Sequence, residues 1–197
     1  MKICIAPNGF KGSLSASEAG EAIATGLRRV VPQADVVIVP VADGGDGLVD
    51  ISVEALAGRL VEEQVAGPRF TKMQAGFAHS PGQKLAAIEM ALASGLALLQ
   101  QDELDPEQTT TYGTGQLIAK ALDLGVEQLL IGIGGSATND GGAGMVQALG
   151  YSLQDGQGNE LEPGGAALQH LADIDVSQRH PGLDSCEVLV ACDVDNP

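Results

Sequence analysis

The sequence predicts an α/β fold, and three observations carry that prediction. Hydrophobic residues make up 44% of the 197-residue chain and aromatics only 3%, so the core must be built from Ala, Val, Leu and Ile, as in sheets covered by helices. Short β-branched runs lead repeatedly into Gly-rich or Asp-rich turns that open helical segments, the texture of a wound α/β sheet. Charged residues are only 18% of the chain, which is far from the composition of a disordered polypeptide.

The elements follow in order. Lys2 to Ala6 reads as a short strand, Asn8 to Leu14 as a Gly/Ser loop, and Ser15 with Glu18 three residues on as a capping box that opens a helix. Asp35 to Val41 gives a second strand, ended by Ala42-Asp-Gly-Gly-Asp-Gly47, and a helix follows to about Ala57, completing a βαβ unit. From Arg59 to about Met90 shorter runs alternate between Gly67-Pro68 and Ser80-Pro-Gly82, which predicts hairpins of a second lobe. Helical patterning returns near Leu96, and Thr109 to Gly115 leads into a helix capped by Thr114. Gln128 to Ile133 and Cys186 to Cys192 read as strong strands; between them lie a turn at Asp155 to Asn159 and a breaker at Pro163-Gly-Gly165. The predicted architecture is a Rossmann- or flavodoxin-like parallel-sheet lobe of residues 1–58, 92–150 and 185–197, with a smaller mixed α/β lobe of 59–91 extended by 151–184. Because no crossover helix follows the last strand, the polypeptide is expected to be cut within a larger fold.

Charge narrows the function classes. A net charge of −16, from 26 acidic against 10 basic residues, argues against nucleic acid and anionic membranes as partners. Phosphate chemistry on such a chain needs a local cation, either a placed lysine or Mg²⁺. Cys4, Cys186 and Cys192 are widely spaced, lack zinc-site spacing and read as buried free thiols of a cytoplasmic protein. The N-terminal apolar run is too short for a signal-peptide core, and no segment approaches a membrane span. His79, His170 and His180 have no partner pattern and read as surface residues.

The most informative stretch is Ile131 to Gly144, where a strand runs into a turn with six glycines in thirteen residues. Glycines let backbone N–H groups approach a phosphate, and Ser136, Thr138, Asn139 and Asp140 add oxygens able to ligate a metal. It lacks the Gly-Lys-Ser/Thr ending of a P-loop and a complete dinucleotide fingerprint, so a nicotinamide oxidoreductase is disfavoured. In open α/β sheets ligands bind beyond the carboxyl ends of strands, and those ends carry Lys11, Asp43, Asp46, Asp140, Asp193 and Asp195. Lys11 is flanked by Gly9, Gly12, Ser13 and Ser15, a setting for meeting a phosphoryl group. Asp43-Gly-Gly-Asp46 and Asp193-Val-Asp195 suit Mg²⁺ held by one or two carboxylates, or supply a general base. Glu89, within an apolar run, must be paired or at an edge and is a further candidate in the smaller lobe.

Six ordered motifs then carry a resemblance: Ala6-Pro-Asn-Gly-Phe-Lys-Gly-Ser-Leu-Ser-Ala16, Val39-Pro-Val-Ala-Asp-Gly-Gly-Asp-Gly47, Glu89-Met-Ala-Leu-Ala-Ser-Gly-Leu96, Thr109-Thr-Thr-Tyr-Gly-Thr-Gly115, Gly132 to Gly144, and Ala191-Cys-Asp-Val-Asp-Asn-Pro197. Together they resemble the bacterial type I glycerate kinases, the glycerate 2-kinase family, over essentially the whole chain. The resemblance implies transfer of the γ-phosphoryl group of ATP to the 2-hydroxyl of D-glycerate with Mg²⁺, in a cleft between two α/β lobes. The residue reading itself puts Lys11, Asp43 and Asp193 in catalysis, with Asp193 or Asp43 on Mg²⁺ or the proton. It puts Ser13, Gly134, Gly135, Ser136, Thr138, Asn139, Gly141 and Gly142 on substrate or phosphate, and Asp46, Asp140 and Asp195 on the metal. Self-association into a homo-oligomer is left open. Two departures stand out. Where the family usually reads Pro-Asp-Ser-Phe-Lys this chain has Asn8 and Gly9, and full members are about twice as long. The alternative reading is therefore a catalytically incomplete fragment that binds a small acid or phosphate.

Overall fold

The computed structural model describes residues 1–10 and 12–192. Lys11, Asp193 and Asp195 lie outside the described residues.

Strand β1 (Lys2–Ile5) pairs in parallel with β2 (Asp35–Ile38), and helix α1 (Ala16–Val30) connects them as a βαβ unit. The capping box is present: Glu18 donates its N–H to Ser15 Oγ at 3.2 Å, and Ser15 donates its N–H to Glu18 Oε2 at 2.8 Å. Helix α2 (Leu48–Ala55) stops short of the expected Ala57, which itself takes a positive φ of 48°.

Strands β3 (Arg59–Ala66), β4 (Lys72–Ser80) and β5 (Leu85–Glu89) form an antiparallel meander, as the sequence predicts. The short helix α3 (Ala91–Ser94) and helix α4 (Tyr112–Asp123) precede β6 (Gln128–Gly132), and α5 (Ala143–Ala148) follows it. A small antiparallel pair, β7 (Ser152–Gln154) with β8 (Asp173–Asp175), leads to β9 (Glu187–Ala191). The Asp155 turn forms as expected, with Asp155 Oδ1 accepting the N–H groups of Gln157 at 2.8 Å and Asn159 at 2.9 Å.

The strand pairing differs from the expected grouping. Segment 59–91 was expected apart from the Gln128 strand, yet β5 pairs with β6 in parallel from Leu85↔Gln128 to Glu89↔Gly132, and the sheet order is β3-β4-β5-β6-β9. The reason is burial: Ala86, Ala87 and Ile88 are all 0% exposed. A strand buried on both faces needs a neighbour on each edge, and β4 and β6 supply them.

Helices cover both faces of this sheet. On one, Leu117, Ile118, Ala121 and Leu122 of α4 pack with Val65, Phe77, Ile88 and Leu129. On the other, Val49 of α2 packs with Ala78 and Ala87. The alternation of Phe77 and Ala78 between the clusters follows the two-residue period of a strand.

Several local expectations change. Thr111, not Thr114, holds the N-cap position of α4, and the buried Thr114 Oγ1 lies 2.8 Å from Ser94 Oγ. Burial removes Thr114 from the capping role because its hydroxyl is used between helices. His79 is buried in β4 opposite Arg59, with Nδ1 lacking a hydrogen-bond partner; burial, aided by Arg59, pushes its pKa down. Against the expected burial, Cys4 and Cys192 are exposed and Cys186 is half-buried. Cys4 lies on β1, whose two-stranded sheet has β2 as its other strand. Among the described residues no helix is long and apolar enough to cross a membrane.

Gly113, in the first turn of α4, sits against the end of β3: a Cβ there would lie 1.8 Å from Ala66 O. Gly113→Ala is expected to lower stability by about 1–3 kcal/mol through overpacking, read as a lower urea midpoint. An unchanged midpoint would show that α4 can back away from the sheet at little cost.

Candidate active site

The acidic turn Ala42–Gly47 is locked onto the carboxyl ends of the central strands. Gly44 adopts φ 92°, and a Cβ there would stand 2.4 Å from Ala191 O at the end of β9. Only glycine allows that approach. Gly134 donates its N–H to Gly44 O at 3.0 Å. Glu89, at the end of β5 and 3% exposed, accepts the N–H groups of Gly47 at 3.1 Å and Val49 at 3.5 Å through Oε2. Gly47 has no side chain to cap α2, so Glu89 supplies the anion from another strand. Glu89 is thus paired, as expected, but inside the main sheet.

Held this way, the turn forms one wall of a cavity of about 320 Å³, lined by Asp43, Asp46 and Asp50. The loop from Asn8 to Ser17 forms the opposite wall, with Ser13, Ser15 and Ser17 adding hydroxyls and Phe10 and Leu14 adding apolar surface. Asn8 Nδ2 donates across the cavity floor to Asp43 Oδ2 at 2.8 Å. Ser13 Oγ donates to Phe10 O at 3.2 Å, tying the loop into a tight turn. Lys11 is outside the described residues, but its chain neighbours Phe10 and Gly12 both line the cavity. Sequence reasoning missed Ser17, Asp50 and the pairing of Asn8 with Asp43. The first two sit in the first turns of α1 and α2, just past the loop residues that the sequence singles out.

The glycine-rich turn divides in two. At its start, Gly134 bonds the acidic turn, and a Cβ at Gly135 would lie 3.6 Å from Asp46 Oδ1, so this end adjoins the cavity. Ser136 and Thr138 hydroxyls bond each other at 2.7 Å, and Asn139 is exposed. At its far end the turn folds back on α4. Asp140 is 1% exposed, and its Oδ2 accepts from Thr111 N at 2.8 Å, Thr111 Oγ1 at 2.9 Å and Gly144 N at 3.1 Å. Its Oδ1 accepts Gly142 N at 3.1 Å, and Met145 N donates to Thr111 Oγ1 at 2.9 Å. Asp140 is thus the carboxylate that joins the starts of α4 and α5, with both oxygens already accepting hydrogen bonds. The N–H of Gly142 is satisfied by it, and α5 has six residues, so this end of the turn is built as a helix junction.

No three His, Cys, Asp or Glu side chains converge as a metal cage among the described residues. Paired carboxylates beside open space nonetheless suit Mg²⁺, which takes one or two and completes its octahedron with water and phosphate oxygens. Asp46 fits best, because no hydrogen bond or ion pair engages its carboxylate among the described residues.

Comparison with known proteins gives this geometry its context. The glycerate kinase family model matches residues 3–197. The chain belongs to the glycerate kinase family. This family member is 55% identical over 197 residues to a glycerate kinase of Bacillus subtilis (strain 168), and 52% identical over 197 residues to a glycerate 2-kinase of Escherichia coli (strain K12). Each alignment covers 100% of this chain and 52% of the relative. A crystal structure described as a glycerate kinase 2 from Salmonella typhimurium LT2 superposes with a TM-score of 0.89 at 53% identity, covering 100% of this chain and 53% of that one. The chain spans about half the length of the curated relatives it matches.

In this glycerate kinase family member Glu89 should leave a pH signature. Burial raises its pKa; the Val49 and Gly47 N–H groups oppose the rise, and Asp46 and Asp50 add to it. A carboxyl with a raised folded-state pKa contributes most below its unfolded pKa and loses that contribution as pH climbs through the folded value. The stability of the wild type minus that of Glu89→Gln is therefore expected to be greatest in mild acid and to shrink toward neutral pH. Urea unfolding across that range checks this, and a flat difference would mean Glu89 titrates as an ordinary carboxylate.

Proposed function

We propose that this chain carries the substrate-facing half of a kinase that transfers the γ-phosphoryl group of ATP to the 2-hydroxyl of D-glycerate, giving 2-phosphoglycerate. The observation that carries this reading is a cavity in which a Gly/Ser loop opposes the Asp43-Gly-Gly-Asp46 turn, which is hydrogen-bonded to the strand ends. Asp46 would hold Mg²⁺, whose charge neutralises phosphate oxygens during transfer. Asp43, fixed by Asn8 and by the Gly45 N–H at 3.2 Å, accepts the proton of the attacking hydroxyl. Lys11 meets the charge of the transferring phosphoryl group, and Ser13 offers a hydroxyl to phosphate or glycerate oxygens. Gly134 and Gly135 adjoin this wall through the acidic turn. We assign Asp193 and Asp195, on sequence grounds, as a second carboxylate pair that supplies the base or a metal ligand.

Phosphorus NMR of the chain with Mg-ATP and D-glycerate tests the reaction and its regiochemistry together. A 2-phosphoglycerate signal is the expected product; a 3-phosphoglycerate signal would overturn the assigned acceptor. A specific feature favours a second reading, a fragment that binds glycerate or phosphate without turning it over: this chain has Asn8 where the Pro-Asp-Ser-Phe-Lys motif usual in the resembled family has aspartate. Saturable D-glycerate binding with no phosphomonoester would select it.

A further inference from the structure

The two aspartates of the acidic turn are not equivalent. Asp43 has a donor on each oxygen, Asn8 Nδ2 on Oδ2 at 2.8 Å and Gly45 N on Oδ1 at 3.2 Å. Asp46 has neither a hydrogen bond nor an ion pair among the described residues, and lines the same cavity. The Asn8 amide is itself oriented, because Gly9 donates its N–H to Asn8 Oδ1 at 2.7 Å, which turns the NH₂ toward Asp43.

We infer that Asn8 is a positioning residue that keeps Asp43 out of the cation's coordination shell, reserving it for the proton and leaving the metal to Asp46. The inference rests on the cavity being the phosphoryl-transfer site. Its physical basis is competition for lone pairs. A divalent cation approaching Oδ2 meets the positive end of an N–H dipole already in place, whereas a hydroxyl proton needs only the remaining lone pair of a carboxylate oxygen. A carboxylate in place of the Asn8 amide would reverse the balance. Two carboxylate oxygens at hydrogen-bond distance repel unless a proton or a cation sits between them, so that exchange turns a donor–acceptor pair into a cation-binding pair.

The test is a Mn²⁺ titration of the whole chain followed by electron paramagnetic resonance, with circular dichroism confirming the fold of each variant. Asn8, Asp43 and Asp46 are all exposed, so their substitution leaves the core intact. Asp46→Asn is expected to weaken Mn²⁺ binding by roughly tenfold or more, and Asp43→Asn by less than about twofold. Asn8→Asp is expected to tighten binding by roughly tenfold, and the gain should vanish in the Asn8→Asp/Asp43→Asn double variant. A wild type too weak to measure beside a measurable Asn8→Asp supports the inference equally. It is overturned if Asp43→Asn weakens Mn²⁺ as much as Asp46→Asn does, or if Asn8→Asp binds no better than wild type. Mn²⁺ affinity needs no turnover, so failure of the kinase reading would appear separately, as a missing phosphomonoester with the metal pattern intact.

Discussion

Replacing Asp140 with alanine is expected to cost about 3 kcal/mol or more of unfolding free energy, enough to unfold a marginally stable domain. The carboxylate is 1% exposed, and its removal strands the N–H groups of Thr111, Gly142 and Gly144 together with the Thr111 hydroxyl. Each buried donor left without a partner costs about 1–3 kcal/mol, and local relaxation recovers part of the sum. The neighbouring Asn139 is exposed, so Asn139→Ala should fall within about 0.5 kcal/mol of wild type. Urea unfolding of the two variants side by side separates a structural carboxylate from a ligand. If Asp140→Ala kept its stability and instead lost metal or phosphate binding, the glycine-rich turn would be the anion site that its sequence suggests.

Lys11→Ala is expected to reduce turnover by about 10³-fold while circular dichroism shows the fold retained. The chain carries −16 net charge with 10 basic residues, and the described residues lining the cavity include three aspartates and neither lysine nor arginine. For the reaction proposed above, bringing ATP and a carboxylate substrate into that field would require a cation besides the metal, and Lys11 is the residue between two that line the cavity. Lys11→Arg restores charge but not shape, so partial rescue is expected from a purely electrostatic role. Equal kcat for wild type and Lys11→Ala, measured by ADP release, would remove Lys11 from the chemistry.

Local signals in the sequence translated well into structure, and long-range ones poorly. Ser15 and Glu18 announce their own capping box because both partners lie within one turn. The antiparallel pairing of β3 with β4 was likewise legible from the alternation on either side of Gly67-Pro68. The partner of β5 was not, since a uniformly buried run such as Ala86-Ala87-Ile88 states that neighbours exist without naming them. Asp140 shows the same limit in the site. Next to glycines it reads as a ligand, and only the return of Thr111 to its side, 29 residues away in sequence, reveals that the oxygens are taken. The Asp43-Gly-Gly-Asp46 turn was recognisable as acidic and glycine-dependent. Its fixation by Glu89, and the division of roles between its aspartates by Asn8, are contacts across 42 and 35 residues that spacing cannot encode.

On the proposed reading, the cavity between the Asn8–Ser17 loop and the acidic turn receives the substrate. The most direct test is an amide NMR titration of the chain with D-glycerate in the presence of Mg²⁺. Saturable shifts concentrated at Gly9, Gly12, Ser13, Gly45 and Gly47, with those of Gly141, Gly142 and Gly144 unmoved, are the predicted result. Shifts confined to the Asp140 junction, or none at all from a folded sample, would contradict it.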